Sequence, residues 1–402
     1  MISPAEADQL IAEHLTCLPI ESLPLVQCFG SILRENIYAE RDQPPFDRVA
    51  MDGVALSSEA VRAGRREFIW QAMQAAGDPP LTLQNDASAI EIMTGAVLPA
   101  GADAIVPVEQ LQRIQEKILL NPDLLVKARQ NVHARGSDGL QGTQLLTAGL
   151  KLGGPDIAIA AGAGMARIRV SAQPRMLVVS TGNELIEPGE AIEPHQIRRS
   201  NAYGMVASLR QNGFQRIADD HLPDDFDTLK TRLRVHLDTH DVLILSGGVS
   251  MGKLDLIPKV LEELGVRQVF HKITQRPGKP LWFGIGPAGT AVFALPGNPV
   301  SSLVCLTRYV IPGLYQAMGE NTMPPERIAL AAEFEVKPAL TYFLPVRVVQ
   351  DDWGRFWAEP RPTNGSGDFS SLSGTDGFLE LPPGPQAYAK GFVSRLYRWN
   401  RT

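Results

Sequence analysis

The sequence predicts a multidomain chain of mixed α/β and β architecture: a doubly wound, mostly parallel α/β domain, an inserted all-β module and a small C-terminal β-barrel. Three observations predict it. At 402 residues the chain exceeds the roughly 250 residues at which a single core stops growing. Between residues 175 and 320 short apolar runs alternate with helical patterns, the signature of a parallel sheet wrapped by helices. Elsewhere, short β-type runs are broken by Gly, Pro, Asn and Asp clusters, and the 31 prolines and 36 glycines of the chain favour turns over long helices.

Each element follows in order. Ser3-Pro4-Ala5-Glu6 forms a capping box with proline at the first helical position, opening an amphipathic helix through Leu10, Ile11 and Leu15. Leu23 to Glu40 and Gly142 to Val170 are apolar and turn-punctuated, as two halves of one connecting body. Between them, Arg41 to Leu140 carries strands such as Ala104 to Val108 and Lys117 to Leu120. Met176 to Val179 is the first fully apolar strand of the α/β region. A helix from Asn201 to Asn212 stopped by Gly213, a strand at Gln215 to Ala218, a helix from Phe226 to Leu237 and a strand from Asp241 to Leu245 continue it. Then come a helix from Leu254 to Leu264, strands near Val266 to Phe270, Leu281 to Phe283 and Ala291 to Ala294, and a last helix from Pro299 toward Met318. Ile328 to Tyr397 returns to short β segments around a Gly/Ser-rich loop at Asn364 to Gly374.

Composition excludes several classes of function. A net charge of -6 supplies no global basic field for nucleic acid. Cys17, Cys28 and Cys305 are odd in number and scattered, which suits reduced packing thiols rather than disulfides or zinc. No signal peptide and no apolar run of about 20 residues is found, so a cytoplasmic protein without membrane contact is expected.

Ligands of an open α/β sheet bind beyond the carboxyl ends of its strands, which singles out five loops. Thr181 and Gly182 lie in Ser180 to Glu184. Ser246, Gly247, Gly248 and Ser250 follow a strand and precede a helix, so their backbone amides can approach a phosphate. The spacing from Gly247 to Lys253 is that of a P-loop, but Leu254 stands where Ser or Thr would hold Mg2+. Pro296, Gly297, Asn298 and Ser301 open a helix N-terminus. Lys272, Arg276 and Lys279 gather three cations in a loop stiffened by Pro277 and Pro280. Glu184, Asp224, Asp225 and Asp255 are carboxylates at neighbouring loop ends; singly each fits a cap or a solvent-facing acid, while together they suit Mg2+ and substrate phosphates. His236 and His240 are four apart on a helix, yet the HExxH glutamate is missing, so a solvated helix end is expected.

These motifs together resemble the molybdopterin molybdenumtransferase family, which includes bacterial enzymes and the C-terminal domain of gephyrin. The resemblance runs over essentially the whole chain, through Pro45-Phe46-Asp47 with Ala50-Met51-Asp52-Gly53, Ile92-Met93-Thr94-Gly95 with Gly101 to Val106, and Arg135-Gly136-Ser137-Asp138. It continues through Ser180 to Leu185, Ser246 to Ser250 with Asp255, Pro277-Gly278-Lys279-Pro280 and Leu295 to Val300. It implies a connecting domain of residues 22–40 and 142–171, an inserted module of 41–141, a molybdopterin-binding α/β domain of 1–21 and 172–322, and a barrel of 323–402.

The resemblance also implies the reaction, in which adenylated molybdopterin and molybdate give molybdenum cofactor with release of AMP and a requirement for Mg2+. It implies a homodimer whose site lies between the α/β domain of one copy and the module of the other. A molybdopterin adenylyltransferase would act upstream, and molybdoenzymes or their chaperones downstream. Asp52, Thr94, Asp138, Glu184, Asp224 and Asp255 are then the catalytic set, with Asp224 or Asp225 matching one acidic family position, Glu184 and Asp255 on the metal, and Ser301 and Ser366 near molybdate. The sequence departs from the family pattern at Arg48-Val49, Asn183, Arg198-Arg199 and Pro345. The last stands where many relatives carry an anion-binding Arg; Arg347, two residues along a strand, is the expected substitute. Two alternatives stay open: an adenylyltransferase-type activity, which the absence of a Gly-Gly-Thr-Gly loop with Arg-Asp disfavours, and a non-catalytic gephyrin-like dimeric scaffold.

Overall fold

A computed structural model describes residues 1–248, 256–321, 324–336, 340–384 and 386–400. The first helix, Pro4–His14, starts as the sequence predicts: the Ser3 hydroxyl accepts from the Glu6 amide at 3.2 Å and the Glu6 carboxylate accepts from the Ser3 amide at 2.6 Å. Its buried Ala7 and Ile11 pack on the α/β core. The connecting region folds back on itself through the pairs Ile20–Pro24 with Arg167–Ser171 and Ile37–Tyr38 with Gln144–Leu146, around Cys28, Leu33, Ile37, Leu152, Ile168 and Val170.

The insertion is a six-stranded sheet in the order Ala104–Pro107, Gly53–Leu56, Ser88–Ile92, Glu67–Gln74, Lys117–Leu120, Leu111–Ile114. It carries one short helix, Ser58–Arg62, besides the strands. No strand pairing, hydrogen bond or ion pair among the described residues joins residues 41–141 to the α/β domain of the same chain.

The α/β sheet runs Ile217–Leu222, Met176–Thr181, Val242–Ser246, Ala291–Leu295, Trp282–Ile285, Arg267–His271; the first four strands are mutually parallel, and Trp282–Ile285 pairs antiparallel with both of its neighbours. Both faces are covered, which explains the near-continuous apolar runs of the central strands. One face packs on Met205, Leu209, Tyr309 and Leu314, the other on Leu229, Leu233, Val260 and Leu261. The helix expected from Pro299 toward Met318 is present, but a π turn at Leu306–Val310 interrupts it.

The C-terminal strands close a five-stranded barrel: Thr341–Gln350, Phe356–Pro360, Arg327–Leu330, Val393–Arg398, Gly377–Leu381 and back to Thr341–Gln350. The barrel is fastened to the α/β domain where Gln275–Arg276 pairs with Thr341 and Tyr342. Arg308, 3% exposed, adds a fork onto the Asp8 carboxylate at 2.6 and 2.8 Å beside Glu380. Among the described residues no helix is long and apolar enough to cross a membrane, and all three cysteines are free.

Candidate functional site

The carboxyl ends of the four parallel strands place Gly182, Pro223, Gly247 and Pro296 along one edge of the sheet. At its centre Thr181 is buried, and its hydroxyl has no hydrogen-bond partner among the described residues. It faces Gly247 and Gly248, both at positive φ, +105° and +63°. A Cβ on Gly247 would come within 2.8 Å of the Thr181 carbonyl, and one on Gly248 within 2.8 Å of Ile257. Both positions therefore require glycine, for conformation and for space. Ser246 receives a hydrogen bond from the Asn201 amide at 3.0 Å, and the same amide reaches the Gly297 carbonyl at 2.6 Å, which locks two loops together. The Glu184 carboxylate is exposed and lies over Gly182. Asp224 donates its amide to Asn183 at 3.2 Å. Ser250 and Asp255, with the P-loop-like stretch to Leu254, lie outside the described residues.

Asp225 has a different task from Asp224. Its carboxylate caps the helix Phe226–Thr239 by accepting from the Thr228 amide at 2.9 Å, and the Thr228 hydroxyl and amide hold its carboxyl below the usual range. His236 is not a solvated helix end: it is 9% exposed, with Nε2 2.8 Å from the Asp220 carboxylate. The period that brings His236 to the helix surface also turns it onto the sheet.

A cavity of about 280 Å3 opens beside this edge, between the α/β domain and the barrel. Arg276, Lys279, Asn298 and Ser301 line it from one side, Pro345 and Ser366 from the other. The two sides are stitched together: the Asn298 amide donates to the Ser366 hydroxyl at 2.7 Å, and the Val300 amide to the Ser366 carbonyl at 3.0 Å. The barrel loop behind Ser366 is shaped by Asp368. Hydrogen bonds from the Ser371 hydroxyl, the Asn364 amide and the Ser370 hydroxyl pull the Asp368 carboxyl down to about 2. Arg276 and Lys279 are exposed and have no acidic partner among the described residues. Two unpartnered cations over neutral donors make a receptor for a small dianion. Lys272 does not line this cavity; its backbone sits at φ +73° and its amide donates to Leu281.

In the inserted module, the Asp52 carboxylate accepts from the Thr94 amide and hydroxyl at 2.6 and 2.7 Å. Those bonds hold its carboxyl below the usual range, hence charged at neutral pH. Asp138 is reached through a relay that the sequence did not reveal: an Arg48 guanidinium nitrogen donates to His133 Nδ1 at 3.0 Å, and Nε2 donates to Asp138 at 2.9 Å. The pairing of Arg48 and Val49 with His133 and Val132 holds that relay in register.

Comparison with known proteins agrees with this arrangement along the whole chain. Residues 2–164 match the MoeA N-terminal region (domain I and II), 177–316 a probable molybdopterin binding domain, and 327–393 the MoeA C-terminal region (domain IV). A molybdopterin molybdenumtransferase of a Synechocystis species is 38% identical over 401 residues, covering 99% of this chain and 100% of that one. The chain belongs to the molybdopterin molybdenumtransferase (MoeA) family. A second relative of that name, from Synechococcus elongatus, is 32% identical over 97% of this chain and 98% of its own length. The solved structure of a molybdopterin biosynthesis MoeA protein from Pyrococcus horikosii superposes with a TM-score of 0.84 at 29% identity, covering 100% of both chains.

Against the MoeA pattern, two departures acquire physical meaning. Arg199 is not a free anion binder. It is 5% exposed, and its guanidinium donates to Glu187 at 2.6 Å, Asp219 at 2.5 Å, the Asp220 carbonyl at 3.1 Å and the Ser180 hydroxyl at 3.3 Å. Burial opposes its charge, but the bonds to Asp219 and Glu187 outweigh it and keep its pKa raised. Arg347 does share a strand face with Pro345, yet it does not enter the same cavity. It lines a neighbouring space of about 740 Å3 with Arg361 and Ser370. Two residues of strand advance about 6.6 Å, enough to carry the guanidinium past the first cavity's wall.

Proposed function

We propose that the chain is a molybdopterin molybdenumtransferase that binds adenylated molybdopterin along the sheet edge and molybdate in the adjoining cavity, and releases AMP on forming molybdenum cofactor. The observation that carries this is the cavity itself, where Arg276 and Lys279 face Ser301 and Ser366 one hydrogen-bonded loop away from Thr181, Ser246 and Gly247. The two anions brought together by the reaction thus have adjacent receptors. The cations neutralise the oxyanion, while loop amides can receive phosphate oxygens without a Cβ in the way.

Magnesium fits the donors present. The exposed Glu184 carboxylate lies over Gly182 at the strand ends, and Mg2+ takes one or two carboxylates together with substrate phosphates. Glu184 would supply one carboxylate and Asp255 another; bound Mg2+ would screen the charge of the phosphoanhydride. Asp52, Thr94 and Asp138 would serve the site of a second copy in a homodimer, since residues 41–141 share no bonded contact with the α/β domain of their own chain among the described residues. Such an enzyme would work in the cytoplasm.

The test is AMP release from adenylated molybdopterin as a function of molybdate, with and without chelator. Lys279→Met should raise the molybdate requirement tenfold to a hundredfold, since a charge-assisted contact is worth roughly 1.5–3 kcal/mol, and Glu184→Gln should blunt Mg2+ activation. AMP release that ignores molybdate in the wild type would overturn the proposal.

A further inference from the structure

We infer that Gln275 and Tyr309 are a positioning pair that holds the Arg276–Lys279 segment in its oxyanion-binding shape. The inference rests on the cavity reading above and assigns work to residues behind that cavity.

Gln275 is completely buried, an expensive place for a primary amide unless both of its ends are bonded. Its oxygen accepts from the Tyr309 hydroxyl, and its nitrogen donates to the Pro277 carbonyl at 3.0 Å and lies 3.7 Å from the Cys305 sulfur. Because the Pro277 carbonyl can only accept, the amide nitrogen must face it, which leaves the amide oxygen for the Tyr309 hydroxyl. The amide nitrogen is thereby aimed at Pro277, between the two cations. The segment is also pressed onto this pair. Gly278 has φ +92°, and a Cβ there would lie 2.5 Å from Cys305 Sγ and 2.6 Å from Gln275 Nε2. Glycine is thus required for conformation and for close approach.

Tyr309, 1% exposed, belongs to the π turn Leu306–Val310, a feature that concentrates at functional sites. Helical spacing brings Cys305 and Tyr309 to one face, under the segment. Arg276 and Lys279 flank the clamped Pro277 and Gly278, with their heads exposed. An unclamped segment would lose backbone and side-chain freedom on closing round a small anion, and that ordering cost would weaken binding. The pair removes the cost before the anion arrives.

The experiment titrates inorganic molybdate into the full chain and measures AMP affinity in parallel. Tyr309→Phe deletes one hydroxyl; Gln275→Leu replaces the amide by an apolar side chain of similar size and serves if the first variant folds poorly. Thermal melting gives the folded fraction of each. Tyr309→Phe should weaken molybdate binding roughly three- to tenfold, the worth of one neutral hydrogen bond, with AMP affinity unchanged. In a Lys279→Met background the same change should cost clearly less, because the pair then has only Arg276 left to position. Equal losses in both backgrounds would mean a general structural role and overturn the inference, as would unchanged molybdate affinity in folded Tyr309→Phe and Gln275→Leu. If Lys279→Met itself leaves molybdate affinity unchanged, the cavity reading falls and takes the pair with it.

Discussion

Replacing Arg199 by Met keeps an apolar stem in the pocket but removes one buried charge and four hydrogen bonds, to Ser180, Glu187, Asp219 and the Asp220 carbonyl. Breaking a buried ion pair by removing one partner costs about 3–5 kcal/mol. Here the stranded partners are partly wet: the side chains of Glu187 and Asp219 are 35% and 47% exposed, so both can rehydrate and the lower figure applies, ~3 kcal/mol. At about 2–4 °C per kcal/mol for a domain of this size, the α/β transition should fall by roughly 6–12 °C. Calorimetric or near-ultraviolet melting of wild type and variant at neutral pH reads this directly. The pH dependence supplies a second check. The Arg199 hydrogen bond holds the Glu187 carboxyl below its ordinary value, so that part of the stability is fully present above the unfolded value near 4.3 and is lost as pH falls through the lower folded value. The gap between wild type and variant should narrow in that acidic window. A neutral-pH shift below about 2 °C, or a gap that widens on acidification, would refute the reasoning.

Asp225→Ala should lose a helix cap worth ~1 kcal/mol yet keep turnover, whereas Asp224→Ala should lose turnover and melt normally; melting and AMP release together separate the two. Arg347→Ala should change the molybdate requirement less than about twofold, because Arg347 lies in the next cavity, while Lys279→Met changes it at least tenfold; equal effects in the same assay would return Arg347 to the site. Mixing Asp52→Ala with Asp255→Ala protein should restore part of the activity through hybrid dimers, and no recovery after verified subunit exchange would place each site within one chain.

What the sequence could reveal follows the range of the interaction. The Ser3 capping box spans four residues and is visible as text, and so is the alternation that builds the parallel sheet. The carboxyl-end loops are legible for the same reason, because strand direction fixes which loops share an edge; Arg276, Lys279, Asn298 and Ser301 come from that set. Facts about depth are not legible. Arg199 and Arg198 are adjacent in the text, but only Arg199 turns under the sheet to meet Asp219. Asp224 and Asp225 cannot be told apart until the helix start is fixed to the residue. Strand parity gives Arg347 the right face, but only the barrel wall decides where one cavity ends. The π turn in the last helix and the Arg48–His133–Asp138 relay leave no periodic trace, since one shifts a register within five residues and the other joins residues 85 apart.

The insertion enters and leaves the connecting region side by side, with Ala39 and Thr143 bonded at 2.8 Å and Gly142 returning a bond to Ala39 at 2.9 Å. That makes it a limb on a two-stranded wrist. A paired ribbon resists stretching because its ladder bonds lie across it, but it twists and bends cheaply, so the limb can sweep an arc at nearly fixed reach. Loop closure costs little when the ends already touch. Excising residues 41–141 and joining Glu40 to Gly142 by a short turn should therefore leave a chain that still folds and holds AMP, while the carboxylates carried by the limb are removed as a set.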